Sequence, residues 1–176
     1  MGRRGSAAGG RRVSFHLAQL NVARLAAPLD SPQLADFVAS LDAINKLADA
    51  APGFVWRLQT EDGDATGMRA LDDDRFIVNL SVWRSLEDLR EFTYAGSHVA
   101  VMRRRREWFE IMKEAYLVLW WIPARSVPSV AEAEERLLHL REHGPTPHAL
   151  NFSESYPRPD KSAPPAPHGS DIACPA

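Results

Sequence analysis

The residues from Phe76 to Trp83 alternate without a break, and that alternation limits what the chain can fold into. Successive side chains of a strand point to opposite faces of a sheet. Phe76, Val78, Leu80 and Val82 then share one wholly apolar face. Ile77, Asn79, Ser81 and Trp83 share the other, where an amide, a hydroxyl and an indole stand together. Such a set needs something polar to meet it. The helical run that follows carries Tyr94, His98, Arg105 and Trp108, and can bring an imidazole and a guanidinium over that face. The expectation is the wall and roof of a small-molecule pocket.

The rest of the chain supplies matching elements. Val13 to Val22 reads as a first strand, with Gln19 and Asn21 on one side and Leu20 and Val22 on the other. Ser31-Pro32 opens a helix with an N-cap serine and proline at the first helical position. Leu34, Phe37, Val38, Leu41, Ile44, Asn45 and Ala48 give that helix one core face. Phe54 to Gln59 is a second strand, joined to Phe76–Trp83 by the acidic stretch Thr60 to Arg75. That stretch lacks the ligand spacing of a calcium loop and reads as a solvated hairpin connection. Ser85-Leu-Glu-Asp88 caps a short helix, Leu86 to Tyr94, which breaks at Gly96. Ser97 recaps a second helix running to about Glu114, whose inward stripe includes His98, Arg105 and Trp108. Tyr116 to Ile122 is a continuous apolar run, the fourth strand, covered on both faces. Ser129 caps a last helix ending at Gly144, and Ala149 to Phe152 is an extended segment. Residues 1–12 and 157–176 have little to bury and read as disordered tails flanking one domain over 13–156.

The order strand, helix, strand, strand, helix, strand is the split β-α-β unit of an α+β, ferredoxin-like fold with a four-stranded antiparallel sheet and an extra C-terminal helix. Helices cover one face of such a sheet. The apolar second face must also be buried, which predicts a homodimer. At 176 residues, 45% hydrophobic, 25% charged and a net charge of −2, the chain has no basic excess for nucleic acid and no segment approaching the ~20 apolar residues of a membrane helix. It is expected to be cytoplasmic. The single Cys174 excludes an intramolecular disulfide and a cysteine-rich metal site. No phosphate loop, nucleophile elbow, zinc-type histidine pattern or dinucleotide fingerprint is present.

The segments LAQLNVAR, PGFVWRLQ, DDDRFIVNLSVW, HVAVMRRRREWF, YLVLWWIP and LREHGPTP together resemble the bacterial family known as domain of unknown function 3291, from about His16 to Phe152. That resemblance implies the dimeric α+β barrel superfamily, which includes cofactor-free monooxygenases of antibiotic biosynthesis, haem-degrading monooxygenases and non-catalytic ligand-binding domains. Haem-degrading members use an asparagine on the first strand, a tryptophan on the third and a histidine on the next helix. Asn21, Trp83 and His98 occupy similar places, although the insertion around Leu86 to Gly96 departs from the simplest members.

Each candidate has two readings. His98 is a general base, a haem ligand or a hydrogen-bonded core residue. Asn79, and likewise Asn21, holds a substrate carbonyl or enolate, or bonds a neighbouring loop. Trp83 and Trp108 stack a flat substrate or fill the core. Arg105 clamps a carboxylate or phenolate, or pairs with Asp42 or a loop aspartate. Tyr94 and Ser81 complete the predicted lining. The expected function is a small-molecule-binding protein, of cofactor-independent monooxygenase type, acting on an aromatic or polyketide-like substrate. The alternatives are a haem protein using His98 and a non-catalytic or structural dimer.

Overall fold

A computed structural model describes residues 14–59, 75–94 and 104–160. Four strands form one antiparallel sheet: β1 (Phe15–Arg24), β2 (Phe54–Arg57), β3 (Phe76–Trp83) and β4 (Leu117–Pro123), in the order β2-β3-β1-β4. That is the ferredoxin-like order expected of a split β-α-β chain. The helices are α1 (Ala35–Asp49), α2 (Leu86–Tyr94), the helical residues 104–108 (α3) and α4 (Val130–His143). Both tails and the acidic stretch lie largely or wholly outside the described residues.

Register decides which side chains share a face. Gln19 sits opposite Ser81, Asn21 opposite Asn79, and Leu17 opposite Trp83. Arg57 is in register with Ser81. The polar residues of three strands therefore converge on one face. The other face holds Ala18, Leu20, Val22, Leu80, Val82, Val118 and Trp120, all buried.

That second face is where the structure departs from the expected picture. Helix α4 lays Ala133, Leu137 and Leu140 over β1 and β4, and Trp120 donates its Nε1–H to Glu132 Oε1 at 3.0 Å. The face expected to need a second copy is already buried within a single chain. Burial of this sheet is thus no argument for a homodimer.

Local chemistry accounts for the helix ends. Ser129 Oγ accepts the Glu132 backbone N–H at 3.1 Å and starts α4, while Gly144, at φ 75°, closes it with its N–H on Leu140 O. Ser85 Oγ accepts from Asp88 N at 3.1 Å and donates to Asp88 Oδ2 at 2.6 Å, the serine–aspartate cap predicted for α2. Ser31-Pro32 behaves differently. The proline opens a single 3-10 turn, Pro32–Leu34, the serine makes no capping bond, and the α-helix begins only at Ala35. The predicted helix through Glu114 also stops early. Phe109 bridges to Leu25, and Glu110 N bonds to Arg24 O at 2.9 Å, so the chain leaves the helix to follow the end of β1.

Candidate functional site

Helix α1 stands over the polar face but does not fill it. Of its residues only Phe37 is buried, although its sequence carries a full apolar stripe. The space beneath is a cleft of about 850 Å³. Its roof is Phe37, Leu41, Ile44 and Asn45 of α1, and Phe92 and Tyr94 of α2 stand at its side. Its floor is the polar strip of the sheet. Volumes of about 300–1,000 Å³ with mostly apolar walls and a few placed polar groups are typical of small-molecule sites.

The floor has a fixed half and an open half. In the fixed half Ser81 Oγ donates to Gln19 Oε1 at 2.7 Å and accepts from Trp83 Nε1 at 3.0 Å. Gln19 and Ser81 are 7% and 5% exposed, so water contributes little and the two bonds satisfy groups that would otherwise be stranded. The Trp83 ring stacks on Phe92 at 5.0 Å and meets Phe54 edge-on at 5.5 Å. Trp83 is therefore a rigid plate under the cleft. Ser81→Ala is expected to cost about 1–3 kcal/mol, the penalty for leaving a buried indole N–H without an acceptor. Urea unfolding of the variant measures it, and a loss below ~0.5 kcal/mol would show that the bond carries no weight.

The open half is the cross-strand pair Asn21 and Asn79. Asn79 is exposed and Asn21 half-buried, both line the cleft, and neither amide has a hydrogen bond among the described residues. Arg105 also lines the cleft. Its guanidinium has no carboxylate among the described residues; of its two expected partners, Asp42 is taken by Lys46 at 2.7 Å and the loop aspartates lie outside the described residues. Arg57 reaches the same cleft but is engaged by Asp49, through Nε at 2.8 Å and Nη2 at 3.3 Å, tying the end of α1 to β2.

The other sequence candidates fall in different places. Tyr94 stands at the rim, 68% exposed, with its ring 6.4 Å from that of Phe152. Trp108 is not part of the cleft wall. It is 2% exposed in a separate cluster with Leu25, Leu34 and Phe37, and the Arg104 guanidinium lies 4.9 Å from its ring centre. Three residues apart on a short helix, Arg105 and Trp108 turn to different surroundings. His98 lies outside the described residues. The described lining contains no histidine, cysteine or methionine, and its tyrosines are Tyr94 and Tyr116. Arg57 and Asn45 were not singled out by sequence. For Arg57 the missing signal was register, because only the pairing with Ser81 shows which face it takes.

Among the described residues no helix is long and apolar enough to cross a membrane. No curated protein matches the sequence. Among solved structures the fold is similar to SnoaB, a cofactor-independent oxygenase from Streptomyces nogalater (16% identity, TM-score 0.44, 65% of this chain and 97% of that one). It is also similar to Rv0793 from Mycobacterium tuberculosis (15%, 0.42, 65% and 99%). A third is a monooxygenase from the gene ActVA-Orf6 of Streptomyces coelicolor, solved with nanaomycin D (19%, 0.36, 67% and 95%). The family model for the domain of unknown function DUF3291 matches residues 16–166, and the chain belongs to that family.

Proposed function

We propose that the cleft binds a small, flat aromatic molecule carrying carbonyl, phenolate or enolate oxygens. The observation that carries this is the pair of opposed amides, Asn21 and Asn79, without a hydrogen bond among the described residues, on the floor of a mostly apolar cleft. Amide N–H groups fixed on a sheet are suited to an oxygen that gains negative charge. Arg105 adds a cation at the same cleft, and Trp83 with Phe92 supplies a flat surface.

The finer reading is cofactor-independent oxygenation. A base removes a proton from an electron-rich phenol or enol, and the asparagine amides hold the resulting oxyanion. His98 is our candidate for that base. Dioxygen is the oxidant. One of its atoms becomes a new carbonyl on a CH2 carbon, and the other leaves as water with that carbon's two hydrogens. The homodimer remains part of the proposal. With the second sheet face filled by α4, its interface has to lie elsewhere. Light scattering decides it, a species of twice the chain mass supporting the dimer and a single-chain species removing it.

The test uses 1,8-dihydroxyanthrone with tryptophan fluorescence for binding and an oxygen electrode for turnover. Saturable quenching is expected, weakened about tenfold in Asn79→Ala, equivalent to ~1.4 kcal/mol. Asn79 is exposed, so its removal should change stability by no more than ~0.5 kcal/mol. Equal binding by the variant and the parent would sink the assignment of the floor. Binding without oxygen uptake would leave a binding module and remove the oxygenase.

A further inference from the structure

On the opposite side of α4 from the core, three side chains are arranged as metal ligands. Glu135 and His139 lie one turn apart on α4, and His148 reaches them from the turn that follows the helix. One donor atom from each lies within 4.8 Å of the other two. His148 Nε2 is already 3.0 Å from Glu135 Oε1. Ligands at ~2.0–2.2 Å around one tetrahedral ion stand roughly 3.3–3.5 Å apart, so small side-chain rotations close the set. We infer that Glu135, His139 and His148 form a binding site for a divalent transition ion of the zinc type, separate from the cleft.

The donor set decides the class of ion. Two imidazole nitrogens and one carboxylate suit zinc and its neighbours, whereas magnesium and calcium prefer oxygen ligands throughout. The surroundings hold the ligands in place. Thr146 Oγ1 lies 3.1 Å from His139 Nε2, and the same oxygen accepts the His148 and Ala149 backbone N–H groups. The His139 ring also stacks on His143 at 4.4 Å.

One contact opposes the ion. Arg136 Nη1 is 2.9 Å from His148 Nδ1, which places the ring proton on Nε2. For Nε2 to bind a metal, that proton must move to Nδ1 and the contact must give way. Arg136 keeps two other partners, His148 O at 2.7 Å and Glu132 Oε1 at 3.2 Å, so the guanidinium is not stranded. The carboxylates of Glu132 and Glu135 offset its charge beside the ion.

An ion here would fasten α4 to the chain that continues into the cleft. Two residues after His148, Leu150 exchanges backbone bonds with Leu119 of β4 at 2.9 and 2.7 Å, and Asn151, Phe152 and Ser153 then line the cleft. The site is a staple for that wall.

The experiment is calorimetric titration of the chelator-treated full chain with zinc chloride, and with magnesium chloride in parallel. One equivalent of zinc should bind with micromolar affinity, magnesium should not bind, and zinc should raise the melting temperature in a concentration-dependent way. His139→Ala and Glu135→Gln should each weaken zinc at least tenfold. Cobalt(II) should show visible d–d absorption in the parent chain that His148→Ala abolishes, which reads the site without a stability measurement. No zinc binding to the parent, or binding of the same strength in His139→Ala, overturns the proposal.

Discussion

Trp120→Ala is expected to destabilise the protein by about 3–5 kcal/mol, the range for emptying a tryptophan site in a packed core. The side chain is 0% exposed, lies on β4 beside Ala18, and is roofed by α4. Its loss removes three things at once: the largest buried surface under α4, the 3.0 Å bond to Glu132, and the ring 5.9 Å from the Arg136 guanidinium. Against a total of about 5–15 kcal/mol for a typical domain, this is a large share. Trp120→Phe separates the terms. It keeps most of the apolar area, and Glu132, 35% exposed at its side chain, can turn to water, so a loss of only about 1–2 kcal/mol is expected. Urea denaturation measures both. If α4 merely rests on the sheet, Trp120→Ala will shift the midpoint little. If α4 peels away while the sheet survives, the slope will fall, and the uncovered face of Leu20, Val82 and Val118 will drive self-association.

What could be read in the sequence was whatever a local period determines. Strand β3 begins and ends, and helix α2 begins, where alternation and capping place them, and the ferredoxin-like order follows from the succession of elements. The polar face of β3 was visible as Asn79, Ser81 and Trp83, because a strand's two faces need no tertiary information. What the period cannot give is the partner. Leu137 and Leu140 announce a buried helix face without saying that it lies on Trp120, and so the second sheet face looked empty. Periodicity also assumed that the helix bearing Arg105 continued to Glu114, whereas pairing of Phe109 with Leu25 ended it. That is a long-range contact overriding local propensity. The Glu135–His139–His148 cluster was missed for the same reason. The spacing of Glu135 and His139 is visible on a helix, but the turn at Thr146 to Ala149 is what carries His148 back to them.

Gly53→Ala is the second large effect, because one methyl group would disturb a turn, a helix cap and a cleft wall together. Gly53 is buried at φ 79°, a left-handed conformation that costs an alanine about 1–2 kcal/mol. A Cβ built there would lie 2.1 Å from Asp88 Cγ and 2.4 Å from Asp88 Cβ. The second of these is no flexible tip, so either Asp88 and the first turn of α2 must move or the Gly53 turn must open. Asp88 is the residue that exchanges hydrogen bonds with Ser85 to cap α2, and loss of such a cap costs roughly 1 kcal/mol. Gly53 O also accepts Arg84 N at 2.8 Å, which locks the turn before β2 to the end of β3. Backbone and cap together amount to about 2–3 kcal/mol of lost stability. The displacement would then pass along α2 to Phe92, which stacks on Trp83 at the side of the cleft. Two measurements separate the causes. Urea unfolding of Gly53→Ala, Asp88→Ala and the double variant should be non-additive, the second substitution removing the Asp88 Cγ and Oδ2 contacts but neither the Cβ contact nor the backbone strain. Near-ultraviolet circular dichroism should report a changed Trp83 environment in Gly53→Ala and a partial return in the double variant. Strict additivity would show that Gly53 is required only for its backbone angle and that the cleft wall does not depend on this turn.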